Sequence, residues 1–281
     1  MNAVNILQIV GVLVFLVLGI YALAIEPHRI QVSRIDIRIP NLPEPFRGLK
    51  ICHLSDMHTT RFGRLEKAAE EILARNEADL CVITGDLLGS RAGVGALCRL
   101  LSSMKAPLGV FAVPGNGDYK AGMSPKELAA ELKRSGAHLL LNERIAIPLD
   151  GQSLHVIGVD DPFFGFDDLS AAMSGLGDGG FKLLLAHSPD ILMKLDGRAP
   201  DLILAGHTHG GQIRLPLIGP LWLHSRYKLR ISDGYFEPEQ LSRLTGRDIH
   251  GVRMYVSRGL GCSGIRARFA CPPEIVLITL H

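Results

Sequence analysis

The chain has 281 residues, 47% of them hydrophobic, with 30 basic and 28 acidic side chains and a formal charge of +2. That length is enough to bury an ordinary core as one large α/β domain or two small ones. The near-balanced, scattered charge excludes a nucleic-acid footprint and an acidic tail, and leaves small or lipid-like anions as partners. Five cysteines, Cys52, Cys81, Cys98, Cys262 and Cys271, have no zinc-type spacing, and their odd number argues for a reducing compartment over a paired disulfide framework. Cys52 and Cys81 sit inside apolar runs, where a thiol behaves as a small hydrophobe.

Residues 6–25 carry no charge over 20 positions, enough for a helix to cross the roughly 30 Å hydrocarbon core of a bilayer. The reading is an N-terminal membrane anchor over 1–25. A cleavable signal is the alternative, with Ala22-Leu23-Ala24 as the cleavage site, although no Lys or Arg precedes the run. Arg29, Arg34 and Arg38 follow it, so the positive-inside rule predicts a single-pass protein of the inner or plasma membrane with its main domain in the cytoplasm.

Residues 26–48 read as a linker and edge strand, because Ile35, Ile37 and Ile39 alternate with Asp36 and Arg38 before the proline-rich stretch 40–45. From 49 to 281, short apolar runs alternate with helical patterns, the signature of a layered α/β domain. Leu65, Ala68, Ala69, Ile72 and Leu73 have helical spacing. A second helix is predicted to start at Ser124 as N-cap, with Pro125 first and Glu127 closing a capping box, and to stop near Gly136. Residues 174–180 read as a glycine-rich surface loop.

The chemistry gathers where apolar runs end. Residues 49–54 lead into Asp56 and His58, 80–84 into Asp86, 110–113 into Asn116, 183–186 into His187, and 202–205 into Gly206-His207-Thr208-His209-Gly210-Gly211-Gln212. Ligands of open α/β sheets bind beyond the carboxyl ends of the strands, so five run ends predict one crevice. In extended backbone His207 and His209 face the same way. Taken singly, Asp86 and Asn116 read equally well as turn caps; it is the recurrence at every run end that turn capping leaves unexplained. Carboxylate, amide and imidazole donors without thiolate suit Mn²⁺, Fe or Zn²⁺, Mn²⁺ being favoured. Seven ligands are too many for one such ion. Two ions sharing a carboxylate clamp both oxygens of an in-line displacement and lower the pKa of a bound water, which predicts phosphoester hydrolysis.

This set of motifs resembles the calcineurin-like metallophosphoesterases, in particular the membrane-associated bacterial branch that carries a Gly-His-Thr-His-Gly-Gly-Gln ending. The resemblance runs from residue 49 to the C-terminus. It implies a two-sheet sandwich flanked by helices. It also implies Asp56, His58, Asp86 and His209 on one metal and Asp86, Asn116, His187 and His207 on the other, with Asp86, Asn116 and His187 in the catalytic machinery. One departure stands out: most of the family follows the asparagine with a histidine that contacts the scissile phosphate, whereas here Gly117 follows Asn116. Three explanations compete. The substrate can have a good leaving group, as a diphosphate does; another group, His224 or an arginine, can replace the histidine; or activity is weakened or lost, leaving a metal-binding membrane protein that acts by binding. The substrate implied by resemblance and anchor is a lipid-linked nucleotide diphosphate, UDP-2,3-diacylglucosamine, cut to lipid X and UMP in lipid A assembly. The runner-up is a broad phosphodiesterase of the same branch.

Two further stretches are candidates. Residues 257–268 combine glycines with Arg258, Arg266 and Arg268, which reads either as a phosphate clamp through Arg266 and Arg268 or as a solvated loop between C-terminal strands at 252–256 and 275–280. Phe163, Phe164 and Phe166, and the apolar run 215–223 with Trp222, read either as core closure or as a lipid-facing surface.

Overall fold

The computed structural model describes residues 2–177, 179–195 and 200–281; of the loop expected at 174–180, Asp178 lies outside them. The chain opens with α1 (Ala3–Ile20), capped by the Asn2 side chain, which accepts from the Asn5 amide. A π-helical turn (Tyr21–Ile25) and a 3₁₀ turn (Glu26–His28) extend the helical run to 26 residues. No side chain of α1 is buried. Among the described residues it is the one helix long and apolar enough to cross a membrane.

Two six-stranded sheets form the body. The first contains β1 (Gln31–Ile37), β2 (Lys50–Leu54), β3 (Leu80–Thr84), β4 (Val110–Val113), β5 (Ala137–Leu139) and β14 (Glu274–Leu280), in the order β1-β14-β2-β3-β4-β5. Only β14 against β2 is antiparallel. The second contains β6 (Glu143–Leu149), β7 (Gln152–Gly158), β8 (Phe181–Leu185), β9 (Leu202–Ala205), β12 (Gly234–Phe236) and β13 (Arg253–Val256), in the order β12-β13-β9-β8-β7-β6, with parallel β13, β9, β8 and β7 at its centre. A hairpin of β10 (Arg214–Leu215) and β11 (Gly219–Pro220) stands apart from both.

Both faces of each sheet are covered, so the central strands are apolar throughout while their side chains still alternate between two cores. Leu80 and Val82 of β3 point between the sheets, where they meet Leu183 and Leu185 of β8 and Leu202 and Leu204 of β9. Cys81 and Ile83 point the other way, against α2 (Arg64–Arg75), α3 (Val94–Ser102) and α5 (Pro125–Arg134). Ile203 and Ala205 pack on the far side under α6 (Leu169–Met173) and α7 (Pro238–Thr245). α5 starts where the sequence predicts: the Ser124 hydroxyl accepts from the Glu127 amide and the Glu127 carboxylate accepts from the Ser124 amide. It ends at Arg134, with Ser135 as C-cap and Gly136 following at φ +81°. β1 completes the edge of the first sheet by pairing in parallel with β14.

Candidate metal centre

The seven sequence-predicted ligands come together at one end of the sandwich, delivered by both sheets. From the first sheet, Asp56 and His58 follow β2, Asp86 follows β3, and Asn116 opens the short α4 (Asn116–Lys120) after β4. From the second, His187 follows β8 and His207 and His209 follow β9. Parallel strands in each sheet bring the carboxyl ends to one edge, and the packing of one sheet on the other makes the two edges meet.

Asp56, His58, Asp86 and His209 each bring one ligand atom within 4.8 Å of the others. His58 Nε2 lies 3.2 Å from His209 Nε2 and 3.3 Å from Asp86 Oδ2, and His209 Nε2 lies 3.4 Å from Asp56 Oδ1. A second group adjoins through Asp86. His187 Nε2 is 3.3 Å from Asp86 Oδ1, 3.2 Å from Asn116 Oδ1 and 3.0 Å from His207 Nδ1. His187 Nδ1 donates to the Thr84 carbonyl at 2.9 Å, which fixes the ring and presents Nε2 to the cluster. The sheets are tied at this point: both Asp56 oxygens accept from the His207 amide, at 3.0 and 3.1 Å, and Asp56 also accepts from the Ser55 hydroxyl.

Two observations fit this donor set to cations. Among the described residues the buried Nε2 of His207 has no hydrogen-bond partner, and an orphaned polar atom in a buried site costs about 1–3 kcal/mol. Five of the seven predicted ligands, Asp56, His58, Asp86, His207 and His209, also have positive φ, between 45° and 72°. For residues with a Cβ this costs roughly 1–2 kcal/mol each, strain of the kind found where function fixes the backbone. Two carboxylates, an amide and four imidazoles without a thiolate suit a divalent ion such as Mn²⁺, Fe²⁺ or Zn²⁺.

The electrostatics agree. Burial pushes His207 and His209 well below the ordinary imidazole range, assisted by neighbouring basic groups, so both stay neutral donors. Burial would also lower His187, but Asp86, Asp56 and Asp161 together outweigh it and hold this imidazole at about 9. Burial raises the Asp56 carboxyl as well, opposed first by His187.

Gly117 is not an open vacancy for the family's histidine. A Cβ there would lie 2.8 Å from the Asp86 carboxylate carbon, and the Gly117 amide already donates to Asp86 Oδ1. A side chain at this position would displace the carboxylate that joins the two ligand groups. Asp118 caps this turn: it accepts from the Gly115 and Leu88 amides, and its burial beside Asp86 raises it to about 7. The His224 ring stands 6.0 Å from that of His207.

The arginine-rich loop behaves differently from the expected clamp. Arg268 is fully buried, and its guanidinium donates to the carbonyls of Arg258, Gly259, Gly261 and Cys271. It cannot reach a substrate. With those carbonyls it fixes the loop whose Gly259 and Gly261 press on Asp56 and Met57, where a Cβ at Gly259 would come within 2.6 Å of the Asp56 Cβ. Arg258 pairs with Glu274 at 2.8 Å. Arg266 alone of the three lines the groove.

That groove has a volume of about 480 Å³ and runs from His58, Asp86, Asn116 and Gly117 to Leu23, Pro27 and His28 at the foot of the N-terminal helix. Arg61, Arg64 and Lys120 line it together with Arg266. The sequence reading passed over these three; the available signal was proximity, since Arg61 and Lys120 lie within four residues of the ligands His58 and Asn116. Phe163 packs on His207 with ring centres 4.5 Å apart, while Phe164 and Phe166 remain exposed around Tyr119.

A family model described as calcineurin-like phosphoesterase matches residues 49–211. The uncharacterized metallophosphoesterase YkuE of Bacillus subtilis is 33% identical over 92% of this chain and 88% of its own length. The phosphodiesterase YaeI of Escherichia coli is 29% identical over 82% of each chain. UDP-2,3-diacylglucosamine pyrophosphatase LpxG of Chlamydia muridarum is 29% identical over 92% of each.

Proposed function

The chain belongs to the calcineurin-like phosphoesterase family, and from that premise we propose that it is a membrane-anchored dimetal hydrolase of a lipid-linked diphosphate, with UDP-2,3-diacylglucosamine as the substrate and UMP as one product. Its class is that of a metal-dependent phosphoric ester hydrolase. Asp56, His58, Asp86 and His209 would hold one divalent ion and Asp86, Asn116, His187 and His207 the other. When bound, the ions supply Lewis acidity at the phosphoryl oxygens and activation of the attacking water.

The observation that carries the lipid reading is the groove. It joins the ligand cluster to the foot of an apolar helix and is lined with arginines and a lysine. An anionic headgroup at the cluster can therefore keep its acyl chains on the side from which the helix leaves. Arg61, Arg64, Lys120 and Arg266 would bind the non-reacting phosphate and the sugar-proximal charge, since guanidinium matches phosphate oxygens two at a time. The Asp86 carboxylate, held by the Gly117 amide, would position both ion sites relative to each other. Gly117 supports a substrate that needs no proton on its leaving group. A phosphate monoester leaves as an anion, and the 10²- to 10⁴-fold contribution typical of a general acid is then dispensable. The relative named as a UDP-2,3-diacylglucosamine pyrophosphatase supports the same reading.

The test is product release by the detergent-solubilised full chain with Mn²⁺, offered UDP-2,3-diacylglucosamine and, separately, bis-p-nitrophenyl phosphate. UMP from the first, absent in Asp86→Ala, is the expected result. Turnover of the diester alone would reject the lipid diphosphate and leave a general phosphodiesterase, the activity in the name of the Escherichia coli relative. Two bound ions with turnover of neither would point to a protein that acts by binding.

A further inference from the structure

The hairpin β10–β11 is an apolar element whose large side chains are left exposed among the described residues. From Leu215 to Leu223 the chain carries no charge, and Leu215, Leu217, Ile218, Leu221 and Trp222 are exposed, Leu217 completely. Strands of two residues cannot cover such side chains with each other. A cluster of this kind on an otherwise well-packed chain marks a contact surface.

Its position says what the contact is. The hairpin is rooted on Phe269: Ile213 bridges to it, the Arg214 amide donates to the Phe269 carbonyl at 2.8 Å, and the Phe269 amide donates to the Gln212 carbonyl at 3.0 Å. The same short segment holds the foot of the N-terminal helix. The Arg268 amide donates to the Ala22 carbonyl at 2.9 Å, the Phe269 ring meets Tyr21 edge-on at 6.3 Å, and the buried Glu26 carboxylate accepts from the Ala270 and Cys271 amides. Hairpin and helix therefore leave the domain from one place. The chain after the hairpin then exposes Arg226, Lys228 and Arg230, beyond a tryptophan flanked by leucines. Aromatic rings and basic side chains at the edge of an apolar surface are the composition that sits at a membrane interface.

We propose that β10–β11 is a second membrane contact: its tip enters the acyl region of the bilayer beside the anchor, and Arg226, Lys228 and Arg230 meet anionic headgroups. This rests on the reading of residues 1–25 as a membrane anchor. One helix tethers a domain but leaves its tilt free, whereas two contacts joined through residues 268–271 fix which way the groove faces.

Trp222 is the sole tryptophan of the chain, so its fluorescence reports on the hairpin alone. The full chain is reconstituted into phosphatidylcholine–phosphatidylglycerol vesicles, with and without brominated acyl chains, and floated on a density gradient. The expected result is flotation, loss of Trp222 emission with the brominated lipid, and protection from aqueous iodide. In the double variant Leu217→Asp/Ile218→Asp, flotation and diester hydrolysis should persist while bromolipid quenching disappears and iodide quenching returns. A chain that floats with Trp222 open to iodide and untouched by bromine overturns the hairpin contact and leaves the anchor standing. Shielding from both quenchers overturns it in favour of a protein surface, a second copy included. Failure to float removes the anchor reading, and this inference falls with it.

Discussion

The two sheets make unequal contributions to the centre they share. The first sheet supplies both carboxylates, the amide and one imidazole; the second supplies only imidazoles. Among the predicted ligands the negative charge therefore comes from β2 and β3, while β8 and β9 supply neutral donors that burial keeps deprotonated or, at His187, a ring that a cation must deprotonate. The difference teaches that the halves are not interchangeable. Losing a carboxylate would change both the charge and the coordination number of the site, whereas losing a neutral imidazole would change the coordination number alone.

The largest effect should follow from Asp86, the one side chain shared by both ligand groups. Asp86→Ala is expected to lower kcat/KM by at least about 10³-fold, corresponding to several kcal/mol of lost ion-mediated stabilisation, and His207→Ala by less, in steady-state assays at saturating Mn²⁺. Equal losses would erase the asymmetry between the sheets. Gly117→Ala comes next, because its Cβ would meet the Asp86 carboxylate. A displacement near 1 Å can cost about 10²-fold in rate; unchanged kcat would show that the carboxylate does not need its present position.

The arginines of the C-terminal loop sharpen a smaller contrast. Arg266→Ala should raise KM about tenfold with kcat nearly constant, the loss of one phosphate contact. Arg268→Ala should instead lower thermal stability, by about 2–4 kcal/mol for the carbonyls left without donors, and leave the KM of properly folded enzyme close to normal. An Arg268 variant that melts like the parent would contradict its structural role.

The smallest effect is a proton. The metal-free fold holds His187 at about 9, above its ordinary 6.5, so this proton stabilises the metal-free protein below pH 6.5 and the contribution is lost as pH rises through 9. Ion binding must displace it, and between these values affinity should rise with pH while about one proton is released from this ring. Calorimetric titration of Mn²⁺ in buffers of different ionisation enthalpy measures that release; none at pH 7.5 would contradict the assignment.

Much of the centre is legible in the sequence because topology does the placing. Once residues 49–54, 80–84, 110–113, 183–186 and 202–205 read as strands, the short stretch after each is committed to one edge, and the residue types in it then name the chemistry. The cap of α5 is legible for the same local reason. What escapes is non-local. Nothing about the residue types Asp, His, Asp, His and His announces five positive φ angles, since that conformation is imposed by packing around the cluster. Arg268 in a glycine-rich stretch reads as a phosphate clamp or as part of a solvated loop, and only the folded loop shows four carbonyls converging on it. Glu26 directly follows the apolar run, at the start of the stretch read as a linker. It is buried because residues 270 and 271, far along the chain, offer it two amides.

The central claim is that Asp86 joins two ion sites, and the most direct measurement is the metal content of the purified full chain by inductively coupled plasma mass spectrometry, before and after Asp86→Ala. Two divalent ions per chain, falling to one or none in the variant, is the predicted result. A parent chain that never holds more than one ion, or a variant that keeps both, would contradict it.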